Sequence, residues 1–348
     1  MEGTGMSDLD ELDPPPDDSV VGTPARRPGS VRRTGSILMS WPDGVVGALR
    51  LHGQARDLLT RDDGTPEVLA EAEMTAVVAR NRTIEAIRAR PEHPTIERLV
   101  GAQGGSNLRT AIDQAVPGER EAGTPLHFLL DDIAGTSLIS GLALMQAAIK
   151  GGPEAREQMA MRERPVQTDG LGMRKGRIIC SGLRPGGYAQ RGRERGDFGG
   201  TFLRLAGDLS TDDELGWHDM EPLAGIAMRR RRRLDAWRDG DAIGVDVHFR
   251  DSVWDPDGFE LVVHEYTVQA TIDLATGALR DVDAVPRVLP FPECPWAAPH
   301  AAQLVGLDVG GFRTNVQQTL TEVECCTHLN DMLRGLTEVP RFAAPVLA

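Results

Sequence analysis

Ile243-Gly244-Val245-Asp246-Val247-His248-Phe249-Arg250 alternates apolar and polar residues without a break. A period of two is the mark of a strand with one buried face. The turn Asp255-Pro256-Asp257-Gly258 follows, then a long run from Phe259 to Ile272 and, past Thr276-Gly277, a third from Ala278 to Val288. Short turns between such runs make hairpins, so Met228 to Pro290 reads as an antiparallel meander. On the long middle strand Val262, His264, Tyr266, Val268, Ala270 and Ile272 share one face, and Val263, Glu265, Thr267, Gln269 and Thr271 share the other. His264 therefore falls on the more apolar face, away from Glu265. Counting register back around the turn sets Glu265 near His248. That pair is either a surface ion pair or, with Asp246 and Arg250, the wall of a polar site in which His248 and Arg250 could hold a ligand.

The segments around the meander fill in an α+β fold, an antiparallel sheet with helices packed on one face. From Cys294 onward the pattern is helical: Pro295 suits a first turn, Ala297 to Val305 continues it, Phe312 to Leu320 follows Gly310-Gly311, and Cys326 to Leu336 closes the set. The tail from Pro340 is expected to fray. Upstream, Ser36 to Ala55 reads as a hairpin around Asp43-Gly44, Glu71 to Ala89 as two strands broken near Asn81-Arg82, and Thr95 to Val116 as helical. Leu126 to Ile149, strongly apolar, reads as two short helices. Residues 1–35, with Pro14-Pro15-Pro16 and many acidic residues, lack the apolar content to order themselves and are expected to form a disordered tail. The remaining divisions are an N-terminal α+β part at 36–150, a glycine-rich loop or insertion at 151–216, and the meander with its C-terminal helices at 217–340.

Composition limits the function classes. The chain has 348 residues, 40% of them hydrophobic, and a net charge of -14. An acidic surface argues against nucleic-acid binding, which needs cations for phosphate. No continuous apolar run is long enough to span a bilayer, so no membrane insertion is expected. Arg32-Arg33-Thr34 resembles a twin-arginine export signal, but Trp41-Pro42-Asp43-Gly44 and Arg50 break any apolar region after it, and the expected location is the cytoplasm. No Walker loop and no G-x-G-x-x-G between strand and helix occurs, so no nucleotide cofactor is expected. Arg229 to Arg233 are five consecutive arginines; on a strand they would alternate faces and pair with the chain's own carboxylates.

The chemistry-bearing residues collect late in the chain. Only four cysteines occur, and two lie in Cys325-Cys326-Thr327-His328. Cys294 stands upstream in Glu293-Cys294-Pro295. Thiolate and imidazole are ligands for zinc and iron, so Cys294, Cys326 and His328 form a candidate metal set. His264 is a fourth ligand or a general base, and the adjacent Glu265 is a second catalytic candidate. The alternative is that the cysteines are small apolar residues packing helix ends.

Several of these segments, taken together, resemble an uncharacterised bacterial family, domain-of-unknown-function family 2889. The likeness is carried by Arg32-Arg33-Thr34, Gly53-Gln54-Ala55-Arg56-Asp57, Arg250-Asp251-Ser252, His264-Glu265-Tyr266, Glu293-Cys294-Pro295, Leu304-Val305-Gly306-Leu307 and Cys326-Thr327-His328-Leu329-Asn330-Asp331. It implies no reaction, and this chain has Cys325 where the family has glycine. The order of elements is also similar to that of iron–sulfur cluster scaffold proteins, without their middle cysteine. The expectation is a cytoplasmic metal-dependent enzyme, with zinc or iron, of hydrolase or lyase type on a small organic or acyl substrate. An iron–sulfur or metal carrier, and a small-molecule-binding module with structural cysteines, are the alternatives.

Overall fold

A computed structural model describes residues 15–105, 107–163, 180–194 and 202–347. Nine strands form one antiparallel sheet in the order β4-β3-β2-β1-β6-β7-β8-β5, with β9 pairing β8 beside β5. The strands are β1 (Ser30–Ser40), β2 (Leu49–Thr60), β3 (Pro66–Val78), β4 (Ile84–Arg90), β5 (Arg204–Leu205), β6 (Ala227–Asp239), β7 (Ala242–Trp254), β8 (Glu260–Asp273) and β9 (Leu279–Val288). The meander read from the sequence is β6 to β9. The upstream hairpins are β1–β2 and β3–β4, and the two halves join where β1 pairs β6 from Ser30 opposite Trp237 to Ser40 opposite Ala227.

The α-helices are α1 (Leu108–Ala115), α2 (Glu119–Ala122), α3 (Pro125–Ile139), α4 (Gly141–Lys150), α5 (Gly152–Glu163), α6 (Tyr188–Glu194), α7 (Phe312–Thr319), α8 (Thr327–Gly335), α9 (Val339–Phe342) and α10 (Ala344–Leu347). A 3-10 helix covers Cys294–Leu304. Thr124 caps α3 by accepting the His127 N–H, with Pro125 at the first position, a standard start. Leu126, Phe128, Leu129, Leu130 and Ile133 of α3 are all buried and join the core with Ile37, Met39, Leu51 and Met74 of the sheet. The stretch Pro125–Lys150 is long and apolar enough to cross a bilayer, but more than half of it is buried in the fold. α8 carries its buried stripe of His328, Leu329, Met332 and Leu333 onto the same face of the sheet. Gly35 is needed under α3, because a Cβ there would stand 2.5 Å from the Phe128 ring.

Among the described residues, the opposite face is covered by extended segments. Residues 15–29 and 202–226 run across it, held by Asp18 N–H to the Arg287 carbonyl at 3.0 Å and Gly22 N–H to the Asp208 carbonyl at 2.7 Å. This corrects the tail boundary at residue 35: β1 begins at Ser30, and residues 15–29 are tied down by polar groups rather than by apolar burial. Residues 1–14 of that tail lie outside the described residues, as do 164–179 and 195–201 of the glycine-rich segment. Its remainder contains α5, α6 and β5. The chain end does not fray either, because Val339, Phe342 and Ala343 are buried.

Both faces of the central strands carry buried ion pairs. Facing the helices, Arg33 grips Asp57, Glu338 and the Gly123 carbonyl, and Arg232 reaches Asp132 at 3.0 Å. Facing the other way, Arg32 pairs with Asp235 at 2.6 Å, and Arg233 joins Asp235 and Asp246. The arginine run on β6 thus alternates faces, and Arg230, Arg231, Arg232 and Arg233 pair with carboxylates of the chain. Arg229 donates to the Glu221 carbonyl and Arg231 pairs with Glu260.

Candidate metal centre

Register determines which side chains meet under α8. In β7 and β8, Asp251 lies opposite His264, and a bulge between Asp251 and Ser252 shifts the next pairing to Ser252 opposite Val262. The extra residue at the bulge turns Val262 to the face opposite His264, so the simple alternation read from the sequence fails at that position. It leaves His264 on the helix side beside Asp251. Helix α8 begins right after Cys326 and brings His328 down between them.

The three side chains converge. One ligand atom from each of Asp251, His264 and His328 lies within 4.8 Å of the other two, and all three residues are buried. The imidazoles stack at 3.6 Å between centroids, 22° from parallel. His328 Nε2 stands 3.4 Å from Asp251 Oδ2. Arg230 clamps the carboxylate from behind, with Nε 2.9 Å from Oδ1 and Nη2 2.8 Å from Oδ2. The same guanidinium lies 4.8 Å over the Phe249 ring and 3.4 Å from Asp132.

The electrostatics of this corner are set by burial. It pushes both imidazoles well below the usual histidine value, with the neighbouring His328 adding to the effect on His264 and Arg230 to that on His328. Both rings are therefore neutral at pH 7, the form in which a histidine ligates a metal. His264 Nδ1 is buried with no hydrogen-bond partner. An unsatisfied buried nitrogen costs about 1–3 kcal/mol, a cost that coordination would remove.

The residues singled out from the sequence separate into three groups. His264 and His328 come together, joined by Asp251. Glu265 does not join His264: the two point to opposite faces, as adjacent strand residues must. Instead Glu265 accepts from His248 Nε2 at 2.7 Å and Arg250 Nε at 2.8 Å, fully buried rather than on the surface. The pocket expected around His248 and Arg250 is filled by the chain itself. Arg250 donates to the Gly207 carbonyl at 2.7 Å and the Val20 carbonyl at 2.8 Å, and Ser19 Oγ donates to Glu265 at 2.8 Å. Cys294 and Cys326 form the third group. Both are buried, but among the described residues they are not part of a ligand cluster with His328. Asp251 and Arg230 were missed as site residues. The available signal was an acidic residue at the inward position two after Phe249, facing a strand of arginines.

Residues 228–341 match the model of a family described as "Protein of unknown function (DUF2889)". The matched segment runs from β6 to α9 and contains all three converging side chains, so the family likeness read from the sequence holds over the part of the chain that builds the site. No curated protein and no solved structure gives a match, and the similarity to iron–sulfur scaffolds gains no support.

Proposed function

We propose that Asp251, His264 and His328 bind a single divalent transition-metal ion, iron or zinc, and that the protein is a cytoplasmic metal-dependent enzyme acting on a small organic or acyl substrate. The observation that carries the reading is the convergence of two neutral imidazoles and one carboxylate, with His264 Nδ1 left unpartnered. Two histidines and one carboxylate are a ligand set used by both non-haem iron and catalytic zinc, and leave coordination positions open. Arg230 would act through Asp251, fixing its orientation as outer partners of ligating carboxylates do. A bound ion would supply a Lewis acid, which suits hydrolase or lyase chemistry at a carbonyl. The four cysteines form no disulfide, which favours a reducing compartment.

A metal-free alternative rests on the 3.4 Å approach of Asp251 to His328 Nε2, in which the carboxylate orients the imidazole as a general base. Calorimetric titration of the chelator-treated protein with Zn2+, Co2+ and, without air, Fe2+ separates the two. The metal reading expects one site, lost in His264→Ala and in Asp251→Asn. Absence of binding for all three ions in folded protein would remove it and leave the dyad.

A further inference from the structure

Eight arginines are buried among the described residues. Six of them, Arg32, Arg33, Arg230, Arg232, Arg233 and Arg250, have a carboxylate oxygen within 3.0 Å. Arg56 and Arg229 have none within 4.0 Å among the described residues. A buried cation without a counter-ion is costly, so such groups are ordinarily paired. The two exceptions lie on the sheet face turned away from the metal ligands, on either side of β1. Register sets Arg56 of β2 opposite Thr34 of β1, and Arg231 and Arg229 of β6 opposite Ser36 and Leu38 of the same strand. Arg231, next to Arg229 on that face, meets only Glu260, at 3.4 Å.

What these guanidiniums hold instead is main chain. Residues 215–221 cross this face as a strap. Arg56 donates to the Leu215 carbonyl at 2.6 Å, and Arg229 donates to the Glu221 carbonyl. Midway between them His218 reaches Ser36 Oγ at 2.7 Å and Thr34 Oγ1 at 2.9 Å. The Nε groups of Arg56 and Arg231 are buried with no hydrogen-bond partner. Three guanidiniums offer about fifteen N–H donors, and their acceptors are the two carbonyls and one Glu260 oxygen. The nearby acids are engaged elsewhere. Glu260 also accepts from Ser252 Oγ at 2.5 Å, and Glu221 faces His52 at 3.3 Å. Glu71 and Asp219 influence Arg56 from beyond ion-pair distance. The patch therefore carries an excess of positive charge under a cover that offers it neutral oxygens.

We propose that Arg56, Arg229 and Arg231 form a binding site for an oxyanion, a phosphate or carboxylate group, which the strap 215–221 covers and the oxyanion displaces. A hydrogen bond to a charged oxygen is roughly twice as strong as one to a neutral carbonyl, and the arginine fork matches both groups. Lifting the strap also withdraws His218 and frees the Ser36 and Thr34 hydroxyls to donate to the ligand. Entry is beside Arg231 and Glu260, whose side chains are 14% and 20% exposed. The sheet separates this site from the metal centre, because Arg230, between Arg229 and Arg231, is the residue that faces Asp251. The inference is thus independent of the metal reading. Trp217 reports the movement of the strap: its Nε1 donates to Thr23 Oγ1 at 2.9 Å, and its ring lies edge-on to His248 at 6.5 Å.

The test titrates full-length protein, stripped of metal by chelator, with sodium phosphate and separately with sodium acetate. Chloride keeps the ionic strength constant, and tryptophan fluorescence is the signal. The expected result is a saturable change that is absent in Trp217→Phe. Its dissociation constant should rise at least about tenfold in Arg229→Gln and in Arg56→Gln, and stay unchanged in His264→Ala. A response to phosphate alone assigns a phosphate group, to acetate alone a carboxylate, and to both the chemistry they share. Because an arginine variant could fail to fold, hydrogen exchange on the wild type is the second measurement. At saturating anion the amides of 215–221 should exchange faster, while those of β6 to β9 keep their rates. No saturable change with either anion, a dissociation constant unaltered in both arginine variants, or strap amides that do not speed up would each overturn the inference.

Discussion

Replacing Arg33 by methionine should remove a buried clamp that joins β1 to β2 and to the C-terminal helices. Arg33 is fully buried on β1, with Nε and Nη2 each 2.6 Å from Asp57 on β2. Its Nη1 lies 2.5 Å from Glu338, which follows α8, and Nη2 donates to the Gly123 carbonyl ahead of α3. The guanidinium also stacks 4.6 Å over Phe342. Methionine keeps the length and apolar stem but leaves two buried carboxylates without their cation. Removing one partner of a buried ion pair costs about 3–5 kcal/mol. Glu338 keeps His127 Nδ1 at 2.7 Å, which tempers the loss, so we expect about 4 kcal/mol at pH 7. That is a large fraction of the stability of an ordinary domain.

The loss should depend on pH. Burial alone would raise the Glu338 carboxyl, but the His127 hydrogen bond and the Arg33 charge together hold it below the ordinary glutamate value. A depressed carboxylate contributes stability that is present above its unfolded value and lost as pH falls through its folded one. The penalty of Arg33→Met should therefore hold at pH 7 and shrink by about pH 3, below the free glutamate value of about 4.3. Urea unfolding at both pH values measures it. A penalty under about 1 kcal/mol at pH 7, the worth of an exposed ion pair, would refute the reasoning. So would a penalty that does not change with pH.

Three further outcomes follow from other parts of the structure. Burial, aided by Arg56, Arg229 and Arg231, pushes His218 down to about 3, so it folds neutral, bridging Ser36 at 2.7 Å and Thr34 at 2.9 Å. The unfolded chain takes up a proton below about 6.5, so this residue should withdraw about 2 kcal/mol of stability between pH 8 and pH 5; His218→Gln should flatten that part of a urea-midpoint profile, and an unchanged slope would contradict the account. Gly182→Ala, in the 3-10 turn Ser181–Leu183, would press a methyl into the Cys294 sulfur and should cost about 1–3 kcal/mol, read as a fall in Tm; an unaltered Tm would show that the turn has room. Arg250→Met removes the donors that hold the Val20 and Gly207 carbonyls, so limited proteolysis should cut residues 15–26 faster while leaving the β6–β9 core intact. Equal cleavage rates would mean that the segment is held by other contacts.

How much of this could be read in advance depended on range. The meander was legible because period two and tight turns are local signals, and Ile243 to Arg250 alternates cleanly. The helical character of Leu126 to Ile149 was legible because the run is long and strongly apolar on either side of Asp131-Asp132 and Gly135. The hairpin at Asp43-Gly44 was read too tightly: β1 ends at Ser40 and β2 starts only at Leu49, because Trp41 and Val45 fold into the core and stretch the loop. His264 and His328 were found as residues but grouped with the wrong partners. Proximity in sequence favoured Cys326 for His328, yet residues two apart at a helix start point in different directions, and His328 reaches β7 and β8 instead. Asp251 was obscured by the bulge and by its neighbour Arg250, whose charge drew attention to the opposite face. The burial of the arginine network was not legible at all, since exposure of a charged strand residue depends on what later segments cover it.

The central claim is that Asp251, His264 and His328 hold a metal ion, and metal content by inductively coupled plasma mass spectrometry tests it most directly. Protein purified without air or chelator, wild type beside His264→Ala, His328→Ala and the cysteine variant Cys180→Ser, should be compared under one protocol. The account predicts iron or zinc in the wild type, loss of about one equivalent in either histidine variant, and retention of that equivalent in Cys180→Ser. Histidine variants that fold and keep the full wild-type complement would contradict it, as would a wild type that contains no transition metal.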